Sequence, residues 1–290
     1  MKIRLSLILL LLTTQLLIGQ NTILWKVSDT INNTTSYIVG TYHQFGNSFV
    51  DSIPEIKRVL LSAELAVFES VDEVDDTREM IQQRKSSIEI EKRFKKKDFK
   101  KLKVVAEDWS VDLYKLKPFE ISWKLQQVFQ ATICKATNPT DKFDHFDNYL
   151  IHIAKENKIK ILGLETDSLQ LNLIEKEYKK PNWKQERGKI NYWVNQLTTD
   201  NPNLNNCFFA NKYRIFDLEY EFEQECEDNI IFVQRNNDWM KIIPDLLRKQ
   251  NIFIAVGFGH LRQKCGILEQ LKDLGCIIKA VEIKPAGSTE

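Results

Sequence analysis

One pattern occurs twice, once near each end of the chain, and it restricts the fold more than any other feature. Tyr37-Ile38-Val39-Gly40-Thr41-Tyr42-His43 and Phe253-Ile254-Ala255-Val256-Gly257-Phe258-Gly259-His260 are each a short apolar run followed by Gly-x-x-His. An apolar run bounded by Gly reads as a buried strand. A His just beyond it puts an imidazole at the lip of a sheet. The chain has only four histidines, and this one context uses two of them. If the two strands lie side by side, both imidazoles reach the same place, which is how a metal or acid–base site commonly begins.

Two further strand ends carry a carboxylate in the same register. Leu65-Ala66-Val67-Phe68 ends in Glu69, and Lys160-Ile161-Leu162-Gly163 leads through Leu164 to Glu165. In an open α/β sheet, ligands bind beyond the carboxyl ends of the strands. Apolar runs explain themselves as core, whereas a charge just past each run is either in solvent or in a site. Two imidazoles and two carboxylates suit zinc, manganese, cobalt or iron, with an open position for water. Gly40, Gly257 and Gly259 permit close backbone approach at these turns.

The elements around these positions predict an α/β fold. Leu24–Val27 and Ser36–Val39 form a hairpin around Asn32-Asn33, and Pro54 opens a helix to about Glu64 that leads into the strand at Leu65. From about residue 72 to 158 the pattern is helical, rich in charge and without a clear strand, and reads as an insertion or cap. Helices follow over Asp167–Tyr178, Trp183–Leu197, Pro202–Cys226 and Phe232–Lys249. A strand from Asn251, a helix over Gly266–Leu274 and a strand over Cys276–Ile283 close the fold. The central sheet is thus built from strands at both ends, with a large helical insertion between them.

Residues 1–20 read as a secretory leader: Lys2 and Arg4, an apolar stretch from Leu5 to Ile18, then Gly19-Gln20 before the chain turns polar. The stretch is short for a comfortable bilayer span. The expected location is periplasmic or secreted, with membrane contact only through an uncleaved leader. The domain is expected over residues 21–284, with a disordered tail over 285–290. Net charge is +1, so no bulk field favours nucleic acid. The charge is uneven: Lys92 to Lys101 is strongly basic and Glu219 to Asp228 acidic, each read as a solvated face. The five cysteines leave at least one thiol over if disulfides form. Cys265 and Cys276 flank one predicted helix and could meet, Cys207 and Cys226 could meet only with a bend, and the sequence leaves the pairing open. The sequence has neither a C-x-x-C, nor a Gly-x-Ser-x-Gly, nor a phosphate-cradling Gly loop.

Arg235, in Gln234-Arg235-Asn236-Asn237-Asp238-Trp239, reads either as a surface helix start or as a group that holds a carboxylate or polarises a carbonyl. Asp147 reads as a helix cap. His145 and His152 lack a strand context and read as structural or solvated.

Taken together, Val39-Gly40-Thr41-Tyr42-His43, Val67-Phe68-Glu69, Gly163-Leu164-Glu165-Thr166, Arg235-Asn236 and Ala255-Val256-Gly257-Phe258-Gly259-His260-Leu261 resemble the TraB/GumN family, which includes the Tiki-type metalloproteases. The resemblance covers nearly the whole mature chain in the expected order. It implies a metal-dependent site in an α/β fold akin to erythromycin-esterase-like and haem-binding ChaN-like proteins. Carried over, His43, Glu69 and His260 would hold a divalent ion, Glu165 would act as base or orient a ligand, and Arg235 would stabilise an oxyanion. The segment His43-Gln44-Phe45-Gly46-Asn47 departs from the longer polar loop of many members, so the pocket rim differs. The expected function is a secreted metal-dependent hydrolase acting on a peptide or small-molecule substrate. The alternatives are a non-catalytic peptide- or haem-binding protein, or a metal-dependent esterase.

Overall fold

The computed structural model describes residues 22–178 and 182–284. The predicted leader and tail lie outside the described residues. Six strands form one sheet: β1 (Leu24–Asp29), β2 (Thr34–Thr41), β3 (Leu65–Phe68), β4 (Lys160–Gly163), β5 (Ile252–Gly257) and β6 (Ile277–Ala280). Their order across the sheet is β4-β3-β5-β2-β1-β6. The four strands β4, β3, β5 and β2 run parallel; β1 is antiparallel to both of its neighbours. The hairpin joining β1 to β2 turns as expected at Asn33, whose φ is 55°, a value Asn tolerates better than most residues.

The sheet order explains why the repeated pattern matters. β5, late in the chain, inserts between β3 and β2, and Thr41 pairs with Gly257 in the parallel register. The two Gly-x-x-His segments therefore leave adjacent strands at the same level. β5 is buried along its whole length, which its unbroken Ile252–Val256 run requires of a strand covered on both faces.

Helices fill the crossovers. The helix Pro54–Leu61 carries the chain from β2 to β3 and buries Ile56, Val59 and Leu60 against the sheet. Between β3 and β4 the chain is helical, as the composition predicts. A second apolar core forms there from Ile90, Phe99, Leu102, Ile121 and Leu125. Ile190 and Val194 join it from the helix Trp183–Thr198, after β4. The helical layer is thus shared by both long crossovers and extends past residue 158.

One sequence expectation needs correction. Pro202–Cys226 is not one helix. The chain is helical over Leu204–Arg214 and then irregular, with Phe216 and Glu221 at φ 60° and 54°. Phe216, Leu218 and Tyr220 are buried in alternation, the period of extended chain. Tyr220 Oη ties this segment to the sheet, accepting from Trp25 Nε1 at 2.8 Å and donating to the Thr22 carbonyl at 2.7 Å. The cysteine pairing, left open by the sequence, is Cys134–Cys207 and Cys226–Cys265, and Cys276 is free. Cys276 does not pair with Cys265, because the extended segment brings Cys226 to that partner.

Candidate functional site

The carboxyl ends of the parallel strands converge on one polar cluster. His43 follows β2, Glu69 follows β3, Glu165 follows β4 and His260 follows β5. Glu69, Glu165, Arg235 and His260 are all buried. The backbone fixes their spacing: the Glu165 N–H donates to the Glu69 carbonyl at 2.9 Å, and the Phe146 N–H to the His43 carbonyl at 3.1 Å.

Arg235 is the hub. It begins the helix Arg235–Trp239, immediately after a wide π-turn over Ile230–Gln234. Its Nε donates to Glu165 Oε1 at 3.0 Å, and its Nη2 to Glu165 Oε1 at 2.6 Å and Glu69 Oε2 at 2.5 Å. Its Nη1 reaches the Ile231 carbonyl at 3.3 Å and His260 Nε2 at 3.0 Å. A guanidinium has five N–H donors, and these contacts engage all of them. Trp239 lies under the guanidinium at 4.7 Å and donates Nε1 to Glu165 Oε2 at 3.2 Å.

His260 is held from both sides. Its Nδ1 lies 2.6 Å from Asn236 Oδ1, and Asn236 Nδ2 donates in turn to the carbonyls of His260 and Cys265. The arrangement assigns the proton to Nδ1 and leaves Nε2 to accept from Arg235. Burial, helped by the neighbouring guanidinium, pushes the imidazole pKa down to about 3, so the ring is neutral. Glu69 stays ionised. Burial would raise its pKa, but the neighbouring His260, then Arg235 and His43, bring it down to about 2. Its Oε1 also accepts from the Gly257 N–H at 2.6 Å. Burial raises the Glu165 pKa despite its contacts with Arg235.

A second group adjoins the first. His43 Nδ1 lies 2.6 Å from Asp147 Oδ2, and Thr41 Oγ1 donates to Asp147 Oδ1 at 2.8 Å. Burial alone would lower the His43 pKa, but the Asp147 carboxylate brings it up to about 9. Burial would raise Asp147, and His43 holds it at about 2. The His145 ring stacks on His43 with centroids 5.0 Å apart. His145 Nδ1 is buried without a hydrogen-bond partner and lies 3.6 Å from Asp147 Oδ2. Burial, then the charge on His43, pushes its pKa down to about 4.

The helix-cap reading of Asp147 is therefore wrong. The N-cap of the helix Phe146–Glu156 is His145, without a side-chain cap bond, and Asp147 turns inward to bond residues of the β2 end. His145 is part structural and part solvated, its Nδ1 buried while its side chain stays 37% exposed. His152 packs against the Phe143 ring, away from the site. The sequence reading took His145 and Asp147 separately, although they stand together in Asp144-His145-Phe146-Asp147. The usable signal was a third scarce histidine two residues from an acid, at the start of an amphipathic helix.

Gly257 sits where the two groups meet. A Cβ there would lie 3.2 Å from Glu69 Oε1, 3.5 Å from His43 Nε2 and 3.7 Å from His260 Cδ2. The bare backbone leaves a small hollow that a methyl would fill. Gly40 has a different role, since a Cβ would press to 2.8 Å from Leu261 Cδ1; its absence lets the turn after β5 pack onto β2.

These residues suit a divalent ion at one corner. His43, His145 and Asp147 each offer a ligand atom, all within 4.8 Å of one another, and the orphaned nitrogen of His145 is a donor without a structural partner. Such a nitrogen is costly to bury unless something satisfies it. Both nitrogens of His260, by contrast, have protein partners.

The family model described as the TraB/PrgY/gumN family matches residues 23–280, a span that includes every residue of this cluster. No curated protein matches the chain closely enough to count as a relative.

Proposed function

The chain belongs to the TraB/PrgY/gumN family, and from its site we propose that it is an exported, metal-dependent hydrolase of peptide bonds whose ion is held by His43, His145 and Asp147. The observation that carries the reading is the convergence of those three ligand atoms within 4.8 Å of one another, with His145 Nδ1 buried and unpartnered. Zinc, manganese and cobalt all suit two imidazoles and a carboxylate. Such an ion supplies a Lewis acid for an acyl oxygen and makes water acidic enough to ionise near neutral pH.

The protein groups have separable roles in this reading. Glu69 places an ionised Oε1 at the Gly257 hollow, where it accepts a hydrogen bond from attacking water and orients it. Arg235 has no free N–H for an oxyanion. It is a positioning residue that neutralises Glu69 and Glu165 and holds their carboxylates in place. His260 and Asn236 fix the guanidinium from the opposite side, and Glu165 with Trp239 braces it from below. Peptide bonds are the substrate class that the family resemblance adds.

The test is elemental analysis of purified protein beside four variants. His43→Ala, His145→Ala and Asp147→Asn are expected to lose bound metal, and His260→Ala to keep it. Loss in His260→Ala with retention in His145→Ala would move the ion to His43, Glu69 and His260. Metal absent from every preparation, or peptide cleavage indifferent to a chelator, would remove the hydrolase reading.

One observation favours a second reading. With every Arg235 donor engaged and Glu69 held at a pKa of about 2, neither of these two groups is an acid or base poised near neutral pH. A non-catalytic protein that captures a peptide or haem in this cleft would need none. Haem uptake would give a Soret band that His43→Ala removes, with no cleavage product.

A further inference from the structure

Outside the site, the strongest unexplained feature is a basic face on the helical layer. Between Lys92 and Lys103 the chain carries eight lysine and arginine residues against the single acid Asp98. The whole chain is only +1, so the remainder is net negative and the molecule is electrically lopsided.

Helical geometry explains how this run is displayed. The helix Lys96–Val105 buries Phe99 and Leu102 in the second core. Residues three and four apart share a face, so Lys97, Lys100 and Val104 stand together on the outside, with Lys96 and Lys103 flanking them. All five are exposed. The preceding helix Glu89–Arg93 adds Lys92, four residues after Ile88. Arg187 extends the face from the neighbouring helix by donating to the Arg93 carbonyl at 3.4 Å.

Two details separate this face from an ordinary solvated helix. First, its cations are uncompensated. Arg93 pairs with Glu89 within its own helix, but Lys95, Lys96, Lys97 and Lys100 form no ion pair with a described residue. Second, exposed aliphatic side chains belong to the same stretch: Val104, 61% exposed, shares the face of Lys97 and Lys100, and Ile88, 60% exposed, stands one turn before Lys92. Ile88 and Lys92 also line a shallow pocket of about 530 Å³ with Ser87, Glu89 and Arg93. A soluble polyanion is recognised by charge alone. Charge combined with protruding aliphatic side chains suits a surface that is anionic outside and apolar just beneath.

We propose that the face built from Ile88, Lys92, Lys95–Lys97, Lys100 and Val104 docks the protein on an anionic lipid bilayer. This peripheral contact is independent of the N-terminal leader, to which the sequence reading confined membrane attachment. The lysines reach the headgroups, and Ile88 and Val104 enter the interface between them. The contact orients the molecule with its helical layer against the membrane.

The test is co-sedimentation of the mature chain with vesicles of phosphatidylcholine alone or mixed with phosphatidylglycerol. Binding is expected only to the mixed vesicles. It should be lost as salt rises from about 0.1 M to about 1 M, where the screening length falls to about 3 Å. Each basic residue near such a surface is worth roughly fivefold in affinity. Lys96→Glu/Lys97→Glu/Lys100→Glu is therefore expected to weaken binding on the order of a hundredfold or more. These side chains have no partners to lose, and an unchanged thermal midpoint would show that the variant folds. Ile88→Ser/Val104→Ser is expected to weaken vesicle binding while leaving any binding to soluble dextran sulfate unchanged. Equal binding to both vesicle types, or wild-type binding by the triple variant, would overturn the proposal. Indifference to the apolar pair together with equal affinity for dextran sulfate would replace the bilayer with a soluble polyanion. Bound metal should be unaffected throughout, so failure here is separate from failure of the hydrolase reading.

Discussion

Replacing Arg235 with Met removes a positive charge from between two buried carboxylates and leaves an unbranched apolar side chain that matches only the aliphatic stem of Arg. In the wild type, Arg235 is 5% exposed and touches Glu69 and Glu165 at 2.5 and 2.6 Å. After the change, Glu165 retains Trp239, and Glu69 retains the Gly257 N–H and Gln170 at 3.3 Å. Neither carboxylate keeps a cationic partner as close, and they repel each other. Breaking one side of a buried ion pair typically costs about 3–5 kcal/mol. In a domain of this size, where 1 kcal/mol shifts the thermal midpoint by roughly 2–4 °C, that amounts to roughly 6–20 °C. The pH dependence has a definite sign. Without the cation, burial and mutual repulsion raise both carboxylate pKa values above their unfolded values. The native state of the variant then binds more protons than the unfolded state, and its deficit grows as pH rises. Urea denaturation of metal-free Arg235→Met and wild type, from about pH 4 to about pH 7, measures this directly. Arg235→Met/Glu165→Gln should recover part of the loss, with a coupling of about 0.5–3 kcal/mol. A deficit below about 1 kcal/mol near pH 7, or one that does not change with pH, would refute the description of Arg235 as the electrostatic hub.

Three other outcomes follow from the same geometry. Gly257→Ala should fold normally, because its φ of −54° suits any residue and the entropic gain of about 0.4–1 kcal/mol offsets a tight contact with Glu69. It should nonetheless lower metal or ligand affinity by filling the hollow beside His43 Nε2, as titration calorimetry would show. Removing the Cys226–Cys265 bond, which spans 39 residues, should cost about 3–4 kcal/mol in the chain-entropy description. In the intact, unreduced protein, thiol labelling after unfolding should find a single reactive group, Cys276. Finally, the His43–Asp147 pair should give a stability plateau with two edges. Asp147, lowered from 3.8 to about 2, contributes stability above the unfolded value and loses it as pH falls through about 2. His43, raised from 6.5 to about 9, contributes fully below 6.5 and loses it as pH rises through about 9. Asp147→Asn should flatten both edges in urea midpoints measured against pH.

The inner strands β2, β3 and β5 were legible because each holds a short apolar run closed by Gly or an acid, and burial on both faces demands such a run. The convergence of His43, Glu69, Glu165 and His260 was legible in kind, since all four follow strand ends. What the sequence could not state was that β5 enters between β3 and β2. That order depends on how two long crossovers pack, and no local pattern encodes it. Asp147 was misread for a related reason. An acid in the first turn of a helix has an adequate local explanation, and only the fold brings it to Thr41 and His43, more than a hundred residues earlier. Arg235 showed the same ambiguity. It does open a helix, as read, but the π-turn before it rotates the side chain inward. The cysteine pairing stayed open in the sequence because proximity along the chain is a poor guide where the segment after Arg214 is extended rather than helical.

The central position of β5 has a consequence for how the molecule comes into being. Until residues 252–257 are in place, β2 and β3 share no edge, and the sheet exists only as two separate fragments. Each fragment carries part of the cluster, and neither has a neighbour to hold its carboxyl end in register. Completing the sheet and assembling the site are thus one event, near the end of the chain. Pairings of this sequence separation make for slow folding. They also mean that a chain cut short before β5 would have neither a stable sheet nor an assembled cluster.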